Sequence, residues 1–298
     1  MTAVLAALLA AGLLAGCGSS SHSTDSSAAM DGMSMPAEEE SNDGHAAHAG
    51  DAMPGMQMQG MAAPAAGADG TSDSADGLEL TLATPKLTAG EPADWTLEVL
   101  DSNGMPVTRF ERDQTKFMHL IVVRDDLSGY QHLHPVLDSK GEFKLPVTLP
   151  SPGRYRAIGD FTTGGKRYPL GVDVSVPGKA EPVPLPPPSN EAAVDGYTVT
   201  LADGMLMAGT EEQLTFTVEH GGQPEQELQT YLGAYGHLVA LRKPDLAYSH
   251  IHPVAHDAEA GTLTFEAEFP SAGTFRLFLQ FRAGGEVHTV AFTVEVMK

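Results

Sequence analysis

The chain has 298 residues, enough for two domains of ordinary size, and 42 % hydrophobic residues leave material for real cores. Acidic residues outnumber basic ones 39 to 17, giving a formal net charge of −22. That balance excludes nucleic acid as a partner, because phosphate backbones demand Lys and Arg, and leaves cations as the natural small ligands.

Residues 3–16, AVLAALLAAGLLAG, form an apolar run too short to span a bilayer and suited to the apolar region of a secretory signal. The run ends in LAGC, residues 14–17, followed at once by GSSSHSTDSS. This resembles the lipobox of bacterial lipoproteins. The resemblance implies cleavage after residue 16, lipidation of Cys17, and an extracytoplasmic protein anchored to a bacterial membrane. One departure is that no Lys or Arg precedes the run. Cys17 is the only cysteine of the chain. Once lipidated it leaves no thiolate for a disulfide, a blue-copper centre or a cysteine-based zinc site, so a metal must rely on His, Met or carboxylate.

Residues 17–77 are rich in Ser, Gly, Ala, Asp, Met and Pro and lack apolar periodicity, so they are expected to form a disordered tether, roughly 40 Å r.m.s. long if coil-like. Seven methionines lie there (Met30, Met33, Met35, Met53, Met56, Met58 and Met61), with His45 and His48 among them. A tether has no core for methionines to fill. Thioethers select Cu(I), and imidazole accepts Cu(I) or Cu(II), so these residues are candidate copper ligands.

Alternating strand patterns start at Leu78, and two blocks follow, 78–176 and 194–298, joined by a proline-rich linker at 177–193. The blocks repeat one another. AGEPADWTLEV (89–99) aligns with AGTEEQLTFTV (208–218), and PSPGRYRAIGDFTTGG (150–165) with PSAGTFRLFLQFRAGG (270–285). Each block of about 100 residues holds about seven short strand candidates separated by turn signals, which predicts an all-β protein with two tandem immunoglobulin-like β-sandwiches. Tyr155 stands where a tyrosine corner enters a late strand; Phe275, its counterpart, can pack but cannot make the hydroxyl bond.

The longest repeated segment carries the chemistry. MHLIVVRDDLSGYQHLHPV (118–136) aligns with GHLVALRKPDLAYSHIHPV (236–254), giving two triplets with one spacing: His119, His132, His134 and His237, His250, His252. Residues two apart on a strand share a face, so each H-x-H pair is cofacial. A hairpin bending near Asp126 or Pro244 brings the first histidine opposite the pair, within the roughly 5 Å that ligands around one ion need. A lone H-x-H is usually ordinary surface chemistry; a third histidine at hairpin distance, repeated in the second block, argues for metal. Three nitrogens with an open position suit Cu(II), and also Zn(II) or Ni(II). Pro135 and Pro253 are expected to end their strands, Tyr130 and Tyr248 to pack, and Arg124 and Arg242 to form surface ion pairs. Asp160 could approach the first site as a ligand or as an acceptor behind one, but Gln280 at the aligned position breaks the pattern and argues against a role shared by both sites. His220, His256 and His288 lack a partner pattern.

Lipobox, Met/His-rich tether and paired β-domains together resemble secreted bacterial heavy-metal-binding proteins of the YtkA-like and CopC-like kind. The resemblance implies extracytoplasmic copper binding, buffering or delivery to a copper-handling partner protein, without turnover. It does not supply the ligand set, since the N-terminal histidine that CopC-like proteins use is absent when Cys17 is the lipidated terminus. A competing reading is a structural or adhesive lipoprotein whose sandwiches present protein-binding surfaces. A metalloenzyme has no support: there is no nucleophile motif and no H-E-x-x-H.

Overall fold

The computed structural model describes residues 62–298, apart from the side chains of His250 and His252. Every regular element among them is a strand, and no helix there is long and apolar enough to cross a membrane. The first sandwich comprises β1 (Ser74–Ala75), β2 (Leu78–Ala83), β3 (Pro92–Leu100), β4 (Met118–Arg124), β5 (Gln131–Leu133), β6 (Val136–Leu137), β7 (Glu142–Thr148), β8 (Gly153–Thr163) and β9 (Lys166–Val176). Its sheets run β1-β2-β3-β7-β6 and β5-β4-β8-β9. The second comprises β10 (Glu191–Val194), β11 (Tyr197–Leu201), β12 (Leu206–Met207), β13 (Glu211–His220), β14 (Gln223–Pro224), β15 (Gly236–Arg242), β16 (Tyr248–Asp257), β17 (Thr262–Glu268), β18 (Gly273–Ala283) and β19 (Glu286–Met297). Its strands form the order β10-β11-β13-β17-β16-β15-β18-β19-β12, with β14 beside β13.

Period-two alternation drives each core. In β3, Trp95, Leu97 and Val99 are fully buried while the residues between them face outward; Leu214, Phe216 and Val218 do the same in β13. Each such side chain contributes about 1.5–3 kcal/mol by leaving water. The tyrosine corner forms as expected, with Tyr155 Oη donating to the Ser151 carbonyl at 2.9 Å, and Phe275 packs in its place in the second sandwich.

Strands β4 and β15 depart from alternation because both of their faces are buried. Leu120 and Val122 point into the first core, and Leu238 and Ala240 into the second. The opposite faces supply Ile121, Val123, Val239 and Leu241 to a third apolar cluster with Leu127, Ile158, Leu246, Tyr248 and Phe278. That cluster draws on both sandwiches, so the β4–β8 and β15–β18 sheets dock on each other. Buried sheets need continuous apolar runs, which is why HLIVVR and HLVALR read as they do.

Two expectations about boundaries change. Residues 62–77, assigned to the tether, are ordered at the edge of the first sandwich: Ala65 N donates to Arg167 O at 2.8 Å, Gly70 N to Pro169 O at 2.9 Å and Gly171 N to Ser72 O at 2.7 Å. Ala65 and Ala68 are buried, and a Cβ on Gly171 would lie 2.0 Å from the Gly70 carbonyl oxygen, so glycine is what admits this strap. Backbone pairing rather than apolar periodicity holds the segment, which is why composition alone reads as coil. The second concerns the prolines: Pro135 follows the end of β5 as expected, whereas Pro253 lies inside β16, and each marks a change of sheet. Around Pro135 the chain leaves β4's sheet as β5 and joins β7 as β6. In the second sandwich β16 runs on through Pro253, pairing with β15 up to Ile251 and with β17 from His252, with a register shift after Pro253.

Candidate metal centre

The hairpin register sets the site. Leu120 pairs with Leu133 and Ile121 with His132, which places residue 119 across from 134 on the face shared with 121 and 132. This is the face turned toward the other sandwich. His119 and His132 are buried, and half-buried His134 forms the route to solvent. The three side chains come together: one ring nitrogen from each lies within 4.8 Å of the others, the only such group of three among the described residues. His119 Nδ1 lies 2.9 Å from His132 Nε2 and 3.3 Å from His134 Nε2. Nitrogens bound tetrahedrally to one first-row ion at 2.0–2.1 Å stand roughly 3.3 Å apart, which the two contacts of His119 Nδ1 approach.

The outer nitrogens fix the tautomers. His119 Nε2 lies 3.1 Å from the Asp113 carbonyl, which can only accept, so that nitrogen carries the proton and Nδ1 keeps a lone pair. His132 Nδ1 donates to Gln280 Oε1 at 2.8 Å while Gln280 Nε2 donates to Thr289 Oγ1 at 3.0 Å, leaving the lone pair on His132 Nε2. With these tautomers two lone pairs face each other across 2.9 Å, an arrangement that a cation between them would satisfy. A proton is a poor one. Burial, followed by the neighbouring imidazoles, pushes the His132 pKa well below its ordinary value, and burial followed by His119 pushes His134 down to about 3. His132 and His134 are thus prepared as neutral donors.

The second sandwich reaches this place. His237 is buried, its Nε2 donates to the Tyr231 carbonyl at 2.8 Å, and its ring centroid lies 6.0 Å from that of His132 and 6.5 Å from that of His119. His250 and His252 are described through the backbone alone, paired with Val239 and Glu266. Cys17, Met30, Met33, Met35, His45, His48, Met53, Met56, Met58 and Met61 lie outside the described residues.

Asp160 pairs with His119 across β4 and β8, and Gln280 with His237 across β15 and β18. Burial raises the Asp160 pKa against the pull of Arg167 and His119, and its Oδ2 accepts from Tyr248 Oη at 2.9 Å. Gln280, which looked like a break in the Asp160 pattern, is the residue that orients His132 from the other sandwich. The continuous apolar run of β15 beside it signals in the sequence that this face is covered, without pointing to Gln280. Tyr130 stacks on Phe278 with centroids 3.9 Å apart, so both tyrosines pack, as expected. Arg124 forms its ion pair with Asp126 in a buried setting rather than on the surface, also donating to Glu181 O of the linker at 2.6 Å. Arg242 pairs with Asp245. His288 bonds Asp195 at 2.9 Å, His256 stacks on Tyr235, and His220 lies 3.9 Å from Glu225.

Comparison with known proteins adds a family and no function. No curated protein matches the chain. Among solved structures, it is similar to FdeC, an Escherichia coli adhesin, at 15 % identity and a TM-score of 0.26, covering 76 % of this chain and 65 % of that one. It is similar to Yersinia pseudotuberculosis InvD at 16 % identity and a TM-score of 0.26, covering 75 % and 58 %. Fibronectin(III)-like modules of Clostridium thermocellum CbhA match at 12 % identity and a TM-score of 0.22, covering 73 % and 93 %. The chain spans less than two thirds of FdeC and of InvD. The domain of unknown function DUF8832 matches residues 73–178 and again 192–298, one copy per sandwich. The chain therefore belongs to the DUF8832 family and carries its domain twice.

Proposed function

We propose that this protein binds a transition-metal ion, copper before others, through His119, His132 and His134, and that it buffers or hands on that ion outside the cytoplasm without catalysing a reaction. The observation that carries this reading is the convergence of one nitrogen from each of His119, His132 and His134 within 4.8 Å, with acceptors placed on the outer nitrogens of His119 and His132. Three imidazole nitrogens suit Cu(II), Zn(II) and Ni(II), and among divalent ions Cu(II) binds most tightly. The tether methionines favour copper, since thioethers would capture Cu(I) and add little for zinc. Lipidation at Cys17 would hold the protein at the bacterial membrane, where a copper-handling protein would be its partner.

The architecture supports a second reading. Tandem immunoglobulin-like sandwiches also serve to present protein-binding surfaces, as a structural or adhesive lipoprotein would, and such a role draws on the fold and not on the histidines.

One experiment separates the two. The full chain is loaded with Cu(II), freed of excess and measured for copper content and by electron paramagnetic resonance, beside a His119→Ala/His132→Ala/His134→Ala variant. Metal binding requires nitrogen hyperfine structure that the variant loses. Equal copper content and an equal spectrum in the variant would reject the site and leave the presentation role.

A further inference from the structure

The triplets, read from sequence, imply one metal site in each sandwich. The docked sheets bring the first histidine of the second triplet, His237, up to the first triplet. We infer an interdomain metal centre in which His237 of the second sandwich is a ligand beside His119, His132 and His134 of the first. The inference rests on the metal-binding reading and adds to it a partner for the site: the other half of the same chain.

Two independent observations support it. The first is position. Imidazoles bound to one ion have ring centroids roughly 4.5 Å apart at a right angle and roughly 6.4 Å apart when opposite, with about 5.2 Å for a tetrahedral pair. His119, His132 and His134 stand 4.7, 5.0 and 5.2 Å from one another, all close to the tetrahedral spacing. His237 stands 6.0 Å from His132 and 6.5 Å from His119, roughly 1 Å beyond the tetrahedral spacing and outside the three whose nitrogens already converge, so an ion would draw it inward. Its tautomer is set as that of His119 is: each gives its Nε2 proton to a backbone carbonyl six residues upstream, Asp113 or Tyr231, which leaves Nδ1 as the donor atom. The second observation is orientation. The acceptor that holds His132 in its ligating tautomer is Gln280, a residue of the second sandwich, at 2.8 Å. A second polar bond crosses the interface beside it, from Tyr248 Oη to Asp160 at 2.9 Å.

The apolar cluster around these groups brings the sandwiches together without metal, and the ion then ties them. A site built this way reports on docking, because undocking removes a ligand and releases the orienting acceptor together. The fourth nitrogen also closes the coordination shell, which suits holding a metal rather than turning over substrate.

The test uses the full chain and Cu(II). His237→Gln keeps an amide donor where Nε2 bonds the Tyr231 carbonyl and removes the Nδ1 lone pair; His237→Ala removes both. Competition titration should show affinity falling tenfold or more in both variants, with one nitrogen fewer in the hyperfine pattern. Circular dichroism confirms that at least the Gln variant folds. Unchanged affinity and hyperfine pattern in folded His237→Gln, with binding still lost on replacing His132 and His134, overturns the shared centre and leaves the metal site of the first sandwich standing. Binding that survives both sets of changes rejects the metal-binding reading itself.

Discussion

Gln280→Leu separates a ligand-orienting role from a merely structural one. Leucine fills similar volume and cannot accept the proton of His132 Nδ1, which Gln280 Oε1 takes at 2.8 Å. Stranding a buried N–H would cost about 1–3 kcal/mol if nothing else changed. Here something else can change. His132 can move its proton to Nε2 and donate it to the lone pair of His119 Nδ1, which stands 2.9 Å away. That bond recovers most of the loss, and Thr289, which gives up its own bond to Gln280 Nε2, is exposed and can turn to water. The net cost to stability should therefore stay below about 1 kcal/mol. Metal binding fares worse, because the atom that must coordinate now carries a proton. Loss of an orienting partner of this kind weakens metal affinity about 10–100-fold, or about 1.4–2.7 kcal/mol. Gln280→Glu retains the acceptor and should keep or tighten binding. Ring ¹⁵N shifts read the tautomer, and competition titration reads the affinity. A Gln280→Leu protein with unaltered tautomer and affinity would refute the reasoning, as would a large stability loss with affinity intact.

Three further outcomes are expected. Phe278→Ala removes a buried ring that stacks on Tyr130 across the interface, a change of about 3–5 kcal/mol for a packed phenylalanine. Calorimetry should then resolve two transitions, one per sandwich; a single transition at unchanged temperature would show that the sandwiches do not stabilise each other. Tyr155→Phe deletes the corner bond to Ser151 and should cost about 0.5–1.5 kcal/mol in urea unfolding, an amount that no change in midpoint would contradict. Burial raises the Asp126 pKa, but hydrogen bonds from Arg124, Ser128 and Val183 N outweigh it and hold the carboxyl at about 2. Its folded value is depressed, so its stabilisation is present above the unfolded value of about 3.9 and is lost as pH falls through about 2. Asp126→Asn should cost about 2 kcal/mol at neutral pH and converge with the parent protein near pH 2; a gap independent of pH would argue against the ion pair.

Much of this was legible in the sequence. Alternation in DWTLEVL and QLTFTVE located core strands, and the repeat located the second domain. The spacing of His119, His132 and His134 implied a shared face once a hairpin was assumed, and the pairing of Ile121 with His132 supplies that register. Docking was harder to read. HLIVVR and HLVALR lack alternation because each strand is buried on both sides, and a continuous apolar run states that a face is covered without naming what covers it. For that reason Gln280 could not be tied to His132, 148 residues away in the chain. The strap at 62–77 was hidden for another reason: its bonds to β9 come from backbone groups, which every residue carries.

The most direct measurement is X-ray absorption at the copper edge on the full chain loaded with one equivalent of Cu(II). Imidazole rings scatter through their outer carbon and nitrogen atoms and can be counted. The expected result is three or four imidazole nitrogens at about 2.0 Å with no sulfur. Two imidazoles or fewer, or a sulfur in the first shell, would contradict a centre built from His119, His132 and His134.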